Sequence, residues 1–230
     1  MVKEKYYKVA VDGLSGSGKT TMARLAAQRL NWFYLETGSF YRALTFEVLR
    51  QKINYKDNKA LGSFLAKIKI DFHWDGKKVM VYINQDDITE NLRLPLVDRQ
   101  VSYISEIKEV RKKIVSWQRK IAHGKNVICE GRDIGSVVFP DADLKVFVVC
   151  DLIERAKRRR KELVEKGILV SLEKVRENLR KRDRIDSVRE VSPLVRVPSA
   201  IYIDTTYLTI DEAVNLLVDL IKRLVHSGEK

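Results

Sequence analysis

Cysteine is scarce, with two residues in a chain of 230, and this excludes a disulfide framework. Cys129 and Cys150 both fall inside apolar runs, where a small sulfur-bearing hydrophobe packs without doing chemistry. His73, His123 and His226 stand far apart, so metal-ligand spacing is missing as well. No apolar run approaches the roughly 20 residues of a membrane helix. Met1 to Lys8 lacks the apolar stretch of a signal peptide, so a cytoplasmic location without membrane attachment is expected. Neither a guanine-reading N-K-x-D segment nor a hydrophobic strand ending in paired acids is present, and 230 residues leave no room for the paired domains of a motor. Between Arg155 and Arg196 there is no Phe, Tyr or Trp. Single-strand nucleic-acid surfaces stack bases on such rings, so an ATP-dependent nucleic-acid binder is the lesser alternative.

What the chain does have is positive charge, +13 net, much of it between Arg155 and Arg196. A localised excess of that kind calls for a polyanion. With 45% hydrophobic and 33% charged residues, the composition is that of one folded domain. Tyr7 to Val11 reads as a buried strand ending in a tight turn, and Met22, Ala23, Ala26, Ala27 and Leu30 recur at helical spacing up to a stop at Asn31. Phe33 to Glu36 reads as a second strand, with Ser39 as the cap of the next helix. IKIDFHW and KKVMVYI alternate around Asp75-Gly76, the signature of a hairpin standing apart from the main sheet. Helical pattern resumes at Val97. Asn126 to Glu130, Leu144 to Val149 and Ala200 to Asp204 are further strands, separated by helices at about Leu152 to Lys166, Leu172 to Arg184 and Ile210 to Val225. This alternation predicts an α/β fold with a parallel, doubly wound, five-stranded sheet flanked by helices.

Gly13-Leu14-Ser15-Gly16-Ser17-Gly18-Lys19-Thr20, followed by Thr21, fits G-x-x-x-x-G-K-[ST] between a strand and a helix. Glycines let backbone N–H groups converge on phosphate oxygens. The helix N-terminus adds positive potential, Lys19 bridges the terminal phosphates and Thr20 offers a hydroxyl to Mg²⁺. The expected ligand is ATP with Mg²⁺. Arg155, Arg158 and Arg159 share one helical face and are expected to form a lid over the ATP phosphates; a solvated basic face is the alternative.

Four segments, GLSGSGKTT (Gly13 to Thr21), LETGSFYRAL (Leu35 to Leu44), EGRDIGSVVFPDA (Glu130 to Ala142) and RDRIDSVREVSPL (Arg182 to Leu194), together resemble those of the bacterial cytidylate kinases. The resemblance covers nearly the whole chain. It implies a single P-loop kinase domain with core 1–62 and 93–230, a nucleoside-monophosphate-side β insert at about 63–92 and an arginine-rich helical lid at about 155–170. The reaction it implies is transfer of the γ-phosphoryl of ATP to CMP or dCMP, giving ADP and a diphosphate; a monomer is expected. Carried over by motif, Thr37, Arg42, Arg111, Arg132 and Arg189 would meet the acceptor nucleotide and its phosphate. Ser102 and Asp133 would read cytosine, while Arg182 and Asp186 would hold the ribose. Lys19, Arg132 and Arg189, joined by Arg158 and Arg159 from the basic helical face, would carry the transition-state charge. Another acceptor, UMP or shikimate, is the alternative within the class.

The chemistry agrees with this. A phosphate monoester is already an anionic nucleophile near neutral pH, so the problem is repulsion between two polyanions rather than proton removal. Arginines, lysine and Mg²⁺ address it. Asp133 has its own argument, since a carboxylate accepts from the N4 amine of cytosine whereas uracil presents an oxygen there. Pairing with neighbouring Arg132 is the alternative use of that carboxylate.

Overall fold

The computed structural model describes residues 5–165 and 167–228. The backbone divides into two compact units, Met1–Tyr34 with Lys125–Lys230, and Leu35–Gly124. Elements run β1 (Lys8–Gly13), α1 (Lys19–Leu30), β2 (Phe33–Glu36), α2 (Thr37–Arg50), α3 (Asn58–Lys67), β3 (Ile70–Trp74), β4 (Val79–Ile83), β5 (Asp86–Asp87), α4 (Pro95–Ile104) and α5 (Lys108–Ala122). They continue as β6 (Val127–Gly131), β7 (Leu144–Val149), α6 (Leu152–Glu165), α7 (Leu172–Val188), β8 (Ile201–Asp204) and α8 (Ile210–Gly228). A short π-helical turn spans Ile134–Val138. No helix among the described residues is long and apolar enough to cross a membrane.

The first unit is built on the expected five-stranded sheet, in the order β2-β6-β1-β7-β8. β1 lies at its centre, parallel to β6 on one side and β7 on the other. Val9, Ala10 and Val11 have no solvent exposure, as expected of an apolar run in a strand covered on both faces. The chain leaves β1 toward one edge and later recrosses it between β6 and β7. The carboxyl end of β1 is therefore a topological switch point, where open α/β sheets bind ligands. α1 packs against α8, whose Val214, Leu217 and Ile221 are buried. α6 and α7 form a hairpin with a small core of Ala156, Val175 and Leu179.

In the second unit, α2 packs against α4, α5 and the β3-β4 hairpin. The Phe40 and Phe72 rings stack there at 5.2 Å between centroids. The hairpin forms as its alternation predicts, but β5 joins it to make a three-stranded antiparallel sheet. Its turn is one residue later than expected. Asp75 N–H donates to Lys78 O (3.4 Å), so Gly76, at φ 91°, and Lys77 take the central positions. The Asp75 carboxylate accepts the N–H groups of Lys77 and Lys78 (2.7 and 2.8 Å), which explains its place just before the turn.

Some expected boundaries move. α2 begins at Thr37, so Ser39 is a buried interior residue rather than the cap. α7 continues to Val188, past the expected Arg184, because Asp186 on its last turn is held by Arg132 from outside the helix. α8 likewise continues past Val225. The expected end of the preceding helix at Lys166 lies outside the described residues.

Candidate active site

The loop after β1 needs its glycines. Gly13 has φ 155°, and a Cβ there would lie 2.1 Å from the Val148 carbonyl oxygen on β7. Gly18, at φ 85°, is the N-cap of α1, and no side chain caps that helix end. No acidic residue occupies its first turn either, whereas α3 and α7 are capped by Asp57 and Ser171. The first amides of α1 are thus left for an anion. Beside them Ser17 Oγ is buried, with no hydrogen-bond partner among the described residues.

Lys19 is only 4% exposed, and its ammonium donates to the Leu14 carbonyl at 3.1 Å. Burial, then the Arg132 guanidinium, pushes its pKa down to about 7, with Glu130 and Asp186 pulling the other way. The charge it would lend to a triphosphate is therefore weakly held until an anion arrives. Next to it, the Thr20 hydroxyl donates to Glu130 Oε1 at 3.2 Å. Glu130 stands at the end of β6, where register places Val11 opposite it and Gly131 opposite Asp12. Asp12 accepts the N–H groups of Ile134 and Gly135, both at 2.8 Å. Burial raises its pKa to about 6 even though those two bonds oppose the shift. One carboxylate thus ties the strand leading into the loop to the π-helical turn that follows Arg132 and Asp133.

Arg132, Asp133, Asp186 and Arg189 form a charged cluster in the same unit. Arg132 Nε bonds Asp186 Oδ2 at 2.8 Å, and Arg189 lies 3.7 Å from Asp186 and 3.9 Å from Asp133. Burial alone would raise the Asp186 pKa, yet Arg132 and then Arg189 hold it below the ordinary carboxylate value. In the same way burial would lower Arg132, but Asp186 and Glu130 raise it overall. Arg189 Nε also donates to the Ser192 carbonyl at 2.6 Å. Lys19 feels Arg132, Glu130, Asp186 and Arg182 electrostatically, so the cluster and the phosphate loop share one field.

Three comparisons bear on this geometry. A family model described as cytidylate kinase matches residues 9–223. A cytidylate kinase of Caldanaerobacter subterraneus subsp. tengcongensis is 44% identical over 216 residues, spanning 94% of this chain and 95% of that protein. The chain belongs to the cytidylate kinase family. Two solved structures share the kinase's fold at low identity. An uncharacterized protein from Eubacterium ventriosum matches with a TM-score of 0.53 at 15% identity, over 94% of this chain and 98% of that one. A gluconokinase from Sinorhizobium meliloti matches with a TM-score of 0.50 at 12% identity, over 99% and 98% of the two chains.

The structure distributes the kinase's expected site residues over both units. Gly13 to Thr21, Arg132, Asp133, Arg155, Arg158, Arg159, Arg182, Asp186 and Arg189 lie in the first. Thr37, Arg42, Ser102 and Arg111 lie in the second. Arg42 reaches Asp98 at 2.7 Å and the Leu92 carbonyl at 2.9 Å. Arg111 donates to the Ser105 carbonyl at 2.9 Å and lies 5.2 Å from the Tyr41 ring. Thr37 is buried in the first turn of α2, while Ser102 is on α4.

The three lid arginines have three different surroundings. Arg159 pairs with Glu162 at 2.9 Å on the helix surface. Arg158 donates to the Thr205 and Thr206 carbonyls (2.8 and 3.3 Å), and its Nη1 lies 3.8 Å from where a Gly18 Cβ would be. Arg155 is expected on the face that covers the phosphates, but it is 4% exposed and binds the loop's own backbone at Ser15. Shared helical spacing sets a direction around the axis; it does not say what packs there.

Sequence reading passed over Glu130, Asp12, Asp183 and Thr205, whose hydroxyl donates to the Ser17 carbonyl at 2.8 Å. Only Glu130 carried a signal, a lone acid closing an apolar strand. Each of the others makes a contact that spans more than a hundred residues of sequence.

Proposed function

We propose that the protein transfers the γ-phosphoryl of ATP to CMP or dCMP, producing ADP and the corresponding diphosphate. The observation that carries this reading is the pairing, within one electrostatic field, of an uncapped helix N-terminus bearing Lys19 with the Arg132, Asp186, Arg189 and Asp133 cluster. The loop amides from Gly13 to Thr21 cradle the triphosphate, and Lys19 binds its terminal oxygens. Arg132 and Arg189, with Arg158 and Arg159 from α6, neutralise charge on the transferred group. Arg42 and Arg111 meet the acceptor phosphate beside Thr37. Asp133 and Ser102 read the base, and Arg182 and Asp186 take the ribose hydroxyls. The acceptor needs no general base, because its phosphate is already ionised.

The donor set suits Mg²⁺, which binds through hard oxygens and one or two carboxylates while phosphates and water complete the shell. Thr20 and Glu130, already 3.2 Å apart, would hold it. When bound, the ion neutralises negative charge on the nucleotide phosphates. Both substrates bind to one monomer in this reading. Steady-state turnover across CMP, dCMP, UMP, AMP and shikimate tests it. CMP and dCMP should show the highest kcat/KM, and a higher value for shikimate or AMP would overturn the reading.

Proton uptake gives a second test. Burial and the Arg132 guanidinium hold the Lys19 pKa down to about 7, and a bound triphosphate raises it. Between the free and bound pKa values the complex holds the extra proton, so MgATP binding at pH 8 should be accompanied by net proton uptake. At pH 6, where the free lysine is already charged, uptake should be near zero. Calorimetry in buffers of different ionisation enthalpy reads this directly, and Lys19→Ala should abolish the difference.

A further inference from the structure

Ser15, the third residue of the phosphate loop, is held through both of its backbone polar groups. Its N–H donates to Asp183 Oδ1 at 3.2 Å, and its carbonyl accepts from Arg155 Nη1 at 2.9 Å. The two side chains are paired with each other at 2.6 Å. Arg155 Nε donates to the Cys150 carbonyl at 3.0 Å, which anchors the guanidinium to the end of β7. The side chains are 5% and 16% exposed, so solvent does little to weaken the pair. Around Gly16 the same helices close in, with Arg155 Cβ 3.6 Å and Leu179 Cδ2 3.7 Å from a virtual Cβ. A phosphate loop ordinarily keeps such amides for anions. Here a carboxylate takes one of them, and an arginine fixes the orientation of the next peptide.

The carboxylate also sits in a telling place along α7. Asp183 follows Arg182 and precedes Asp186 by one helical turn, and Asp186 is bonded to Arg132 at 2.8 Å. One rigid helix thus bears on the loop through Asp183 and on the charged cluster through Asp186. We propose that Asp183, backed by Arg155, is a positioning residue for phosphoryl transfer: it orients the Ser15 peptide and ties the phosphate loop to the helix that carries the acceptor-side groups. This rests on the reading of the loop as the ATP site. Misplacing a reacting group by about 1 Å can cost about 10²-fold in rate, so the orientation of one loop peptide can matter.

The test compares Asp183→Ala, Asp183→Asn, Arg155→Lys and the double variant Asp183→Ala/Arg155→Lys. Mg²⁺ with a non-hydrolysable ATP analogue is titrated by calorimetry, and kcat and KM are measured for ATP and CMP. Asp183→Ala should lower kcat/KM for ATP by about 10²-fold. The affinity of the free protein for CMP should stay within about threefold, since the orienting bond acts on the loop. Asp183→Asn keeps an oxygen for the Ser15 N–H and should recover to within about fivefold of wild type. Arg155→Lys keeps the charge without the planar fork and should lose about tenfold on ATP alone. It also serves if Asp183→Ala does not fold. Because both residues act through Ser15, the double variant should cost little more than the worse single. A role confined to stability would lower Tm and leave kcat/KM per folded molecule unchanged. Wild-type ATP parameters in a folded Asp183→Ala or Arg155→Lys would therefore overturn the inference alone. A wild-type protein that binds no ATP analogue would overturn the loop reading and the inference with it.

Discussion

Lys19→Ala is expected to lower kcat for CDP formation by about 10³-fold or more, with the fold retained. In a barrier, 10³-fold corresponds to about 4 kcal/mol. That is a reasonable share for a cation that meets the transferring phosphoryl where water is excluded. Lys19 is buried at the N-terminus of α1, and its ammonium donates to the Leu14 carbonyl. Burial already disfavours its charged form, so alanine removes a desolvated cation rather than a structural support. Tm should therefore hold or rise slightly. Thermal melts and single-turnover rates measured on the same preparation check both halves, and a variant that turns over at the wild-type rate would sink the loop assignment.

Asp133→Asn should have the next largest effect, on the choice of base. The change is close to isosteric but replaces an acceptor-only carboxylate with an amide that also donates. The expected fall in kcat/KM for CMP is about 10²-fold, because a site built to hydrogen-bond an amine discriminates strongly. UMP, whose oxygen can accept from the new amide, should lose less than about tenfold. The CMP to UMP ratio therefore narrows while KM for ATP stays put. Loss of the carboxylate leaves Arg189 with Asp186 at 3.7 Å and the Ser192 carbonyl at 2.6 Å, so the cluster keeps its other partners. Equal losses for CMP and UMP would show that Asp133 serves the cluster's charge balance and does not read the base.

These two residues were legible in the sequence for different reasons. Lys19 belongs to a motif whose strand, turn, lysine and helix are contiguous, so the backbone conformations that make an anion cradle are specified within eight residues. Asp133 came through the resemblance of a longer segment, and its π-helical turn has no simple periodic signature. Arg155 shows the limit of spacing arguments. Its position three and four residues before Arg158 and Arg159 puts it on the face expected to cover the ATP phosphates, yet α6 turns it onto the Ser15 carbonyl and leaves Arg159 with a surface glutamate. A guanidinium can be drawn inward wherever a carboxylate and main-chain carbonyls meet it, and Asp183 lies 28 residues further on.

The sequence by itself determined the alternation of strands and helices, the phosphate loop and the apolar centre of the sheet. All of these follow from backbone geometry and hydrophobic period acting over a few residues. Only the tertiary structure decided that Glu130 would stand beside Thr20, that Asp12 would grip the turn after Asp133, and that Asp183 and Arg155 would hold Ser15. Each of those contacts joins distant parts of the chain, and its formation depends on the order of strands in the sheet and on how α6 and α7 pack. A charged side chain on its own does not choose its partner; burial does, because a desolvated charge must be matched wherever the fold brings one within reach.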